Sequence, residues 1–169
     1  MEKTDKEIPE FIGDIEIEYY KTYFGDNYDY YSPSLLTNEV KKNFNLYAFF
    51  FGATWLLYRR LYKVFLILIV ITIIESLIQD WFVKYFGLGK DIVLLTNPII
   101  TIINGIIIGK IANYYLIKHV QKKISSITSK YNDKDVIIKK IRKAGSGNWI
   151  ILVLLFIVII GVVIMSKNY

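Results

Sequence analysis

The chain separates its apolar and its charged residues into long blocks instead of alternating them every few positions. The clearest block runs from Trp149 to Met165 without a charged residue, and its roughly 17 positions are close to the shortest helix that crosses a bilayer. A second block covers Leu61–Gln79, and a third lies between Ile92 and Ile117. A soluble amphipathic helix would return to polar residues every third or fourth position. The pattern therefore predicts an all-α integral membrane protein with three membrane-spanning helices.

The third block is the least regular of the three, because polar residues and glycines interrupt it. Asn97-Pro98 lies near its start, so we expect this pair to end the preceding loop or to kink the helix. Gly105 and Gly109 have the spacing of small residues that lets two membrane helices approach closely. Their partner would be another span of the same chain or a second copy of it, although glycine is also common in such helices without this role.

A further apolar segment, Leu46–Tyr58, is too short to span a bilayer. At about 1.5 Å per residue its helix would be roughly 20 Å long, against a hydrocarbon core of about 30 Å. Arg59 and Arg60 follow it directly and leave little room for a turn between two crossings. We therefore predict an interfacial or re-entrant aromatic helix, and a fourth membrane span is the alternative.

The lysines and arginines predict the orientation of the chain in the membrane. Nine of them lie in residues 118–148 beside two aspartates, whereas the loop between the first two spans holds only Lys84 and Lys90, balanced by two acids. Loops rich in lysine and arginine stay in the cytoplasm. The N-terminus is then cytoplasmic, and residues 166–169 lie outside the cytoplasmic membrane.

Charge is also divided between the two ends of the chain. Residues 1–45 carry ten acids against five lysines, so the remainder is strongly basic. The acidic, tyrosine-rich segment 1–43 is expected to have a mobile start at residues 1–10 and a helix near Phe11–Phe24. In the basic loop 118–148, isoleucine and valine recur at helical spacing among lysines, which predicts amphipathic helices on anionic lipid headgroups. Because both segments are predicted on one side, we hypothesise that the acidic segment docks on the basic loop.

The segment from Phe44 onward reads FNLYAFFFGATWLLYRRLY and resembles the central motif of the DUF2628 family of bacterial membrane proteins. The matching residues are Phe44, Asn45, Ala48, Phe49, Phe50, Phe51, Gly52, Trp55, Tyr58, Arg59 and Tyr62. Phe11-Ile12-Gly13, Asp29-Tyr30-Tyr31 and Ala112-Asn113-Tyr114-Tyr115 resemble further elements of that family, so the likeness covers residues 11–124.

Two residues depart from the motif of that family. Ala53 stands where the family often has proline, which would make the aromatic helix straighter, and Arg60 stands in place of lysine. The family has no assigned biochemical activity. The resemblance therefore implies a membrane location and no particular reaction.

Few residues of the chain could carry chemistry. There is no cysteine and only one histidine, His119, so thiolate chemistry and a multi-histidine metal site within one chain are excluded. No catalytic or phosphate-binding motif is present, and we expect no enzyme activity, no cofactor and no nucleic-acid partner. Glu75, Asn104 and Lys110 are candidate intramembrane polar residues within the apolar blocks, where such groups are often functional. Glu75 and Lys110 also lie toward span ends, where they could reach water by snorkelling.

The sequence thus predicts five consecutive regions: an acidic segment (1–43), an interfacial aromatic helix (44–60), a two-span hairpin (61–117), a basic loop (118–148) and a last span (149–169). The expected function is non-catalytic, through contacts with lipids, with a partner membrane protein or within a homo-oligomer. The alternative is a subunit of an oligomeric channel or transporter, with Glu75, Asn104 and Lys110 facing the pore.

Overall fold

The structure, a computed structural model, describes residues 13–36, 44–89 and 91–167, and within them it omits the side chains of 34, 36, 158, 159 and 161–167. The described residues form helices and no strands, so the all-α prediction is confirmed. In chain order the helices are α1 (Asp14–Phe24), α2 (Tyr28–Leu36), α3 (Leu46–Tyr58), α4 (Tyr62–Tyr85), α5 (Asp91–Thr128), α6 (Lys134–Gly145) and α7 (Trp149–Lys167). The predicted mobile start at residues 1–10 and Lys90 of the predicted outer loop lie outside the described residues.

The chain divides into two compact units, and neither is continuous in sequence. The first unit contains α1, α2, residues 114–128 of α5, and α6. Its buried residues are mostly aromatic in α1 and α2 and aliphatic in α5 and α6: Tyr19, Tyr20, Tyr23, Phe24, Tyr31, Leu35, Leu116, Ile117, Val120, Ile124, Ile127, Ile137, Ile141 and Ala144. Helix α6 begins at the cap residue Asp133, whose carboxylate accepts the backbone N–H groups of Asp135 and Val136 at 2.8 and 3.3 Å.

Helix α1 packs along α6 in this unit, so the acidic segment does contact the basic loop. A single described ion pair joins them, with Lys134 Nζ 2.8 Å from a carboxylate oxygen of Glu18. Because both side chains are largely exposed, this pair contributes little. The hypothesis of docking is supported, but apolar packing rather than charge dominates the contact. A methyl group added to Gly145 would overlap the backbone of Tyr23, so this glycine permits the close approach of α1 and α6.

The isoleucines of the basic loop have a different environment from the one expected. Ile117, Ile124, Ile127 and Ile141 are buried in the protein and so cannot lie on a lipid surface. Their helical spacing is explained by the interior of the first unit. Contact between the exposed lysines of this loop and lipid headgroups stays a prediction.

The second unit contains α3, α4, residues 91–113 of α5, and α7. Helix α4 has no buried residue, and its long apolar side chains, such as Leu77 at 63% exposure, point away from the rest of the protein. Among the described residues two helices, α4 and α5, are long and apolar enough to cross a membrane. This is one fewer than predicted, and much of α7, the predicted third span, has side chains outside the described set.

Helix α5 differs from its prediction at both ends. It begins at Asp91, so Asn97-Pro98 does not end the preceding loop but lies within the helix. Pro98 is the eighth residue of α5, where its missing N–H removes the helical bond to the carbonyl of Leu94, and the helix continues through it. At the other end no glycine or proline lies between Ile117 and Thr128, and the helix runs unbroken to Thr128.

Candidate functional site

A buried asparagine pair fixes the start of the aromatic helix α3. Asn45 is the N-cap residue, and its side-chain oxygen accepts the N–H of Ala48 at 2.8 Å. That bond orients the amide, so its Nδ2 donates to Oδ1 of Asn113 in α5 at 2.7 Å. The backbone N–H of Asn45 donates to the carbonyl of Gly109 at 2.8 Å. Asn45 and Asn113 are only 2% and 3% exposed, and a buried amide without a partner would be costly.

The two glycines of α5 lie beneath aromatic side chains of the same chain. A Cβ at Gly109 would come within 2.7 Å of the ring of Phe44, and one at Gly105 within 3.1 Å of Phe49. The close approach inferred from the glycine spacing is therefore to the start of α3. Ala48, between these aromatic residues, is completely buried.

Helix α3 is kinked at Gly52, where φ is 41° and ψ is −114°. This is a backbone conformation that side chains with a Cβ rarely adopt. The bend lies at the glycine that precedes Ala53. That Ala53 makes the helix straighter than proline would stays a prediction. The kink separates a first half with exposed apolar side chains, including Phe50 at 73% and Phe51 at 60%, from a second half in which Trp55 is buried.

The end of α3 forms a tight turn into α4. The N–H of Leu61 donates to the carbonyl of Leu56 at 2.8 Å, and that of Arg60 to the carbonyl of Leu57 at 3.0 Å. These two bonds and a left-handed residue define a Schellman cap. The left-handed position, φ 61°, is occupied by Arg60, the only described residue other than glycine with positive φ.

The start of α7 is held against this turn. The backbone N–H of Asn148 donates to the carbonyl of Tyr58, and its side-chain Nδ2 donates to the hydroxyl of Tyr62, both at 3.0 Å. The rings of Tyr58 and Trp149 meet edge to face, with centroids 5.4 Å apart. Tyr58 and Tyr62 thus anchor the last helix of the second unit.

The three candidate intramembrane polar residues, Glu75, Asn104 and Lys110, are not all brought together. Asn104 Nδ2 donates to a carboxylate oxygen of Glu75 at 2.7 Å, which joins α5 to α4. A second polar pair, Gln79 and Thr96, joins the same two helices with an amide-to-hydroxyl bond of 2.5 Å. Lys110 lies six residues beyond Asn104, about 9 Å along the helix axis, and is exposed. Glu75 therefore has an amide partner that the sequence did not identify.

Three titratable groups of the first unit have shifted pKa values. Burial raises the pKa of the Tyr20 hydroxyl, and the neighbouring carboxylate of Glu16 raises it further. Burial and Asp29 likewise raise the pKa of Tyr28. The hydrogen bond to Glu18 raises the pKa of the exposed Lys134 amine. Each shift favours the protonation state already present at neutral pH. Within the described residues no group of three His, Cys, Asp or Glu side chains could hold a metal ion.

Sequence reasoning found the motif but missed its partners. From the sequence, Asn113 is only part of a family segment, and its bond to Asn45 bridges 68 positions along the chain. Asn148 precedes the last apolar block, and no role is predicted for it from the sequence. An asparagine within or beside an apolar block is the available signal in both cases, since a polar group placed there needs a hydrogen-bond partner.

The fold and this site define an all-α protein with two helices long enough and apolar enough to cross a membrane. Residues 14–122 match the family described as Protein of unknown function (DUF2628). The chain belongs to that family, and the matched range includes the whole aromatic helix with its asparagine and glycine partners. No match is found among curated proteins or among solved structures.

Proposed function

We propose that this chain is an integral membrane protein with three spans: α4, the apolar part of α5, and α7. Its role is non-catalytic and depends on contacts with lipids or with other membrane proteins. The observation that carries this proposal is α4, a helix of 24 residues with no buried side chain. A soluble protein rarely exposes a continuous apolar surface of that length, whereas a bilayer solvates it.

Aromatic residues near both ends of α4 support a bilayer of ordinary thickness. Trp81 and Tyr85 stack on each other near one end and are exposed, and Tyr62 begins the helix at the other end. Tyr62 and Trp81 are 19 positions apart, or about 29 Å along a helix. This separation is close to the hydrocarbon thickness of about 30 Å, and tyrosine and tryptophan are enriched at its two boundaries.

The packing of helices within the first unit supports an even number of membrane crossings between α2 and residue 114. Helices α1 and α6 pack together, so both must lie on the same side of a membrane. Three apolar helices lie between them in sequence: α3, α4 and α5. If α4 and α5 both cross, then α3 does not. The 13-residue length of α3 and its kink at Gly52 agree with a position at the membrane surface.

The charge distribution supports a cytoplasmic first unit. Residues 118–148 hold nine lysines and arginines, and the positive-inside rule keeps such loops in the cytoplasm. The N-terminus would then be cytoplasmic and the C-terminal end of α7 external, in a bacterial cytoplasmic membrane. The exposed apolar side chains of the first half of α3, including Phe50 and Phe51, would insert among lipids at the cytoplasmic face.

An alkaline wash of isolated membranes tests directly whether the protein is inserted in the bilayer. The full-length protein should remain in the membrane pellet after an alkaline carbonate wash, because high pH disrupts binding through charge but not the burial of apolar spans in the bilayer. A matched peripheral protein bound through charge should be released in the same wash. Release of this chain would contradict the proposal.

The channel or transporter alternative is favoured by a single observation, the polar contact between Glu75 and Asn104. In reconstituted vesicles, Glu75→Gln and Lys110→Gln should abolish ion flux if these groups line a pore. If the protein acts through contacts alone, neither the unsubstituted chain nor the variants should carry flux above that of empty vesicles. Flux that is lost in the variants would replace our proposal with the alternative.

A further inference from the structure

Three cations gather at the turn between α3 and α4. Arg59 and Arg60 occupy the turn itself, and Lys63 is exposed in the first turn of α4. The Nε–H groups of both arginines are buried and have no hydrogen-bond partner. The Arg59 guanidinium rests 5.8 Å from the centre of the Tyr58 ring, and neither arginine forms an ion pair with a described residue. The turn thus holds positive charge and donors whose bonding capacity is not met.

Two helix N-termini meet beside these cations. Helix α4 starts at Tyr62, and α7 starts at Trp149, next to Asn148. The hydrogen bonds from Asn148 to Tyr58 and Tyr62 bring the two starts together. Neither helix has an acid in its first turn, and no side chain caps α4. Unpaired first-turn N–H groups and the positive ends of helix dipoles favour an anion at such a place.

The backbone conformation of Arg60 also supports a functional role for this turn. A left-handed residue at the end of a helix is most often glycine, because a Cβ makes that conformation unfavourable. Arginine at this position therefore carries a cost in backbone conformation. A strained residue kept next to unmet donors suggests that its side chain is used.

We propose that the turn binds the phosphate group of an anionic lipid headgroup. The two guanidinium groups, which can each donate two parallel bonds, would hold the phosphate oxygens, and Lys63 would add charge. Tyr58, Tyr62 and Trp149 surround the turn with the aromatic residues that favour the headgroup level. This inference rests on the proposed function, because it requires the turn to lie at the membrane surface. A free phosphate ion has the same oxygen chemistry and is separated from the lipid by the experiment.

The test uses the full chain in an uncharged detergent and measures how much phosphatidylglycerol remains bound after washing, with phosphatidylcholine as the zwitterionic comparison. Arg60→Gly removes the cation while relieving the backbone, so it should melt at the same temperature or higher without lipid. We expect it to retain on the order of tenfold less phosphatidylglycerol. Arg59→Gln should show a similar loss. Arg142→Gln, an exposed arginine of α6 in the first unit, removes the same charge and should retain the lipid.

Equal retention by the unsubstituted chain, Arg60→Gly and Arg59→Gln would overturn the inference, and so would an equal loss in Arg142→Gln. A parallel measurement with inorganic phosphate in place of the lipid distinguishes the two sources of a phosphate group. If it stabilises the chain as strongly as the lipid does, and only when Arg60 is present, the site takes free phosphate and the lipid assignment is wrong. The carbonate wash separates the two proposals. A chain that stays in the membrane but retains no phosphatidylglycerol refutes only the lipid site.

Discussion

The two units of this protein place their apolar residues in opposite ways. In the first unit, α1, α2, α6 and residues 114–128 bury aromatic and aliphatic side chains and expose lysines and acids. In the second unit, α4 and residues 91–113 of α5 expose most of their isoleucines, leucines and valines. One helix, α5, takes part in both units and changes its pattern between Asn113 and Tyr114.

Under the proposed function, exposure has two meanings in one chain. An exposed lysine in the first unit would be solvated by water, whereas an exposed isoleucine in the second unit would be solvated by lipid. The polar contacts follow the same division. The second unit satisfies its few buried or part-buried polar groups pairwise, as in Asn45 with Asn113 and Glu75 with Asn104. The following substitutions test this comparison, beginning with the largest expected effect.

A lysine in the middle of α4 should have the strongest effect. Ile73 is 54% exposed, so Ile73→Lys would be harmless in a water-soluble protein. In a membrane span it should cost about 3 kcal/mol of insertion free energy. The inserted fraction can be measured with a reporter of membrane integration. Ser126→Lys, at an exposed position of the first unit, is the control and should change nothing. Equal behaviour of the two variants would mean that α4 is not in lipid.

Gly145→Ala should disrupt the first unit alone. The added methyl group meets the backbone of Tyr23, which cannot move aside as a flexible side chain can. We expect a loss of about 3 kcal/mol in the docking of α1 on α6. Faster tryptic cleavage at Lys21 in α1 would report it. Gly13→Ala, where a Cβ meets nothing within 4 Å, is the matched control. Unchanged cleavage in Gly145→Ala would contradict the packing described for this unit.

Asn113→Ala should weaken the second unit. It leaves the buried Asn45 amide without its acceptor, at a cost of about 2 kcal/mol. The loss should appear as a lower thermal midpoint in detergent, while cleavage at Lys21 stays unchanged. Faster cleavage at Lys21 without a change in the thermal midpoint would mean that Asn113 stabilises the first unit, which would contradict its assignment to the second.

Gly52→Ala should have a smaller effect on the same unit. Space for the methyl group is available, so the cost comes from the backbone angle alone and should be about 1–2 kcal/mol. Gly89→Ala, where a Cβ also meets nothing within 4 Å but φ is not positive, serves for comparison. If Gly52→Ala is as stable as Gly89→Ala, then the kink is not required.

Glu18→Gln should have the smallest effect. Its ion pair with Lys134 is exposed, and water and salt screen it. Docking of α1 on α6 should therefore be unchanged within error, at low salt and at high salt. A salt-sensitive loss would show that charge contributes more to this contact than the buried aromatic residues do.

The sequence predicted the helices best where charged residues bracket an apolar run. Helix α3 has the predicted limits, Leu46–Tyr58, because Arg59 and Arg60 follow it directly and the cap residue Asn45 precedes it. The length of α5 was not predicted. Its apolar side chains change from mostly exposed to mostly buried near Tyr114 without a residue that ends the helix.

The site was predicted as a motif but not as an arrangement. The pairing of Asn45 with Asn113 and the packing of Phe44 on Gly109 join segments more than 60 residues apart. Local periodicity contains no information about such contacts. The docking of α1 on α6 was expected from opposite charges, but the buried tyrosines of α1 carry most of it.

A measurement of membrane topology tests the central claim most directly, because the claim specifies which segments lie on the same side. The chain has no cysteine of its own, so introduced cysteines can be labelled selectively. Single cysteines at Ser32, Ser126 and Ser166 can be probed in intact cells with a membrane-impermeant maleimide. We predict that only the Ser166→Cys variant is labelled, since α3 does not cross and the first unit is cytoplasmic. Labelling of Ser32→Cys while Ser126→Cys stays protected would mean that α3 crosses the membrane. The α1–α6 contact could not then form, and the account of two units would be wrong.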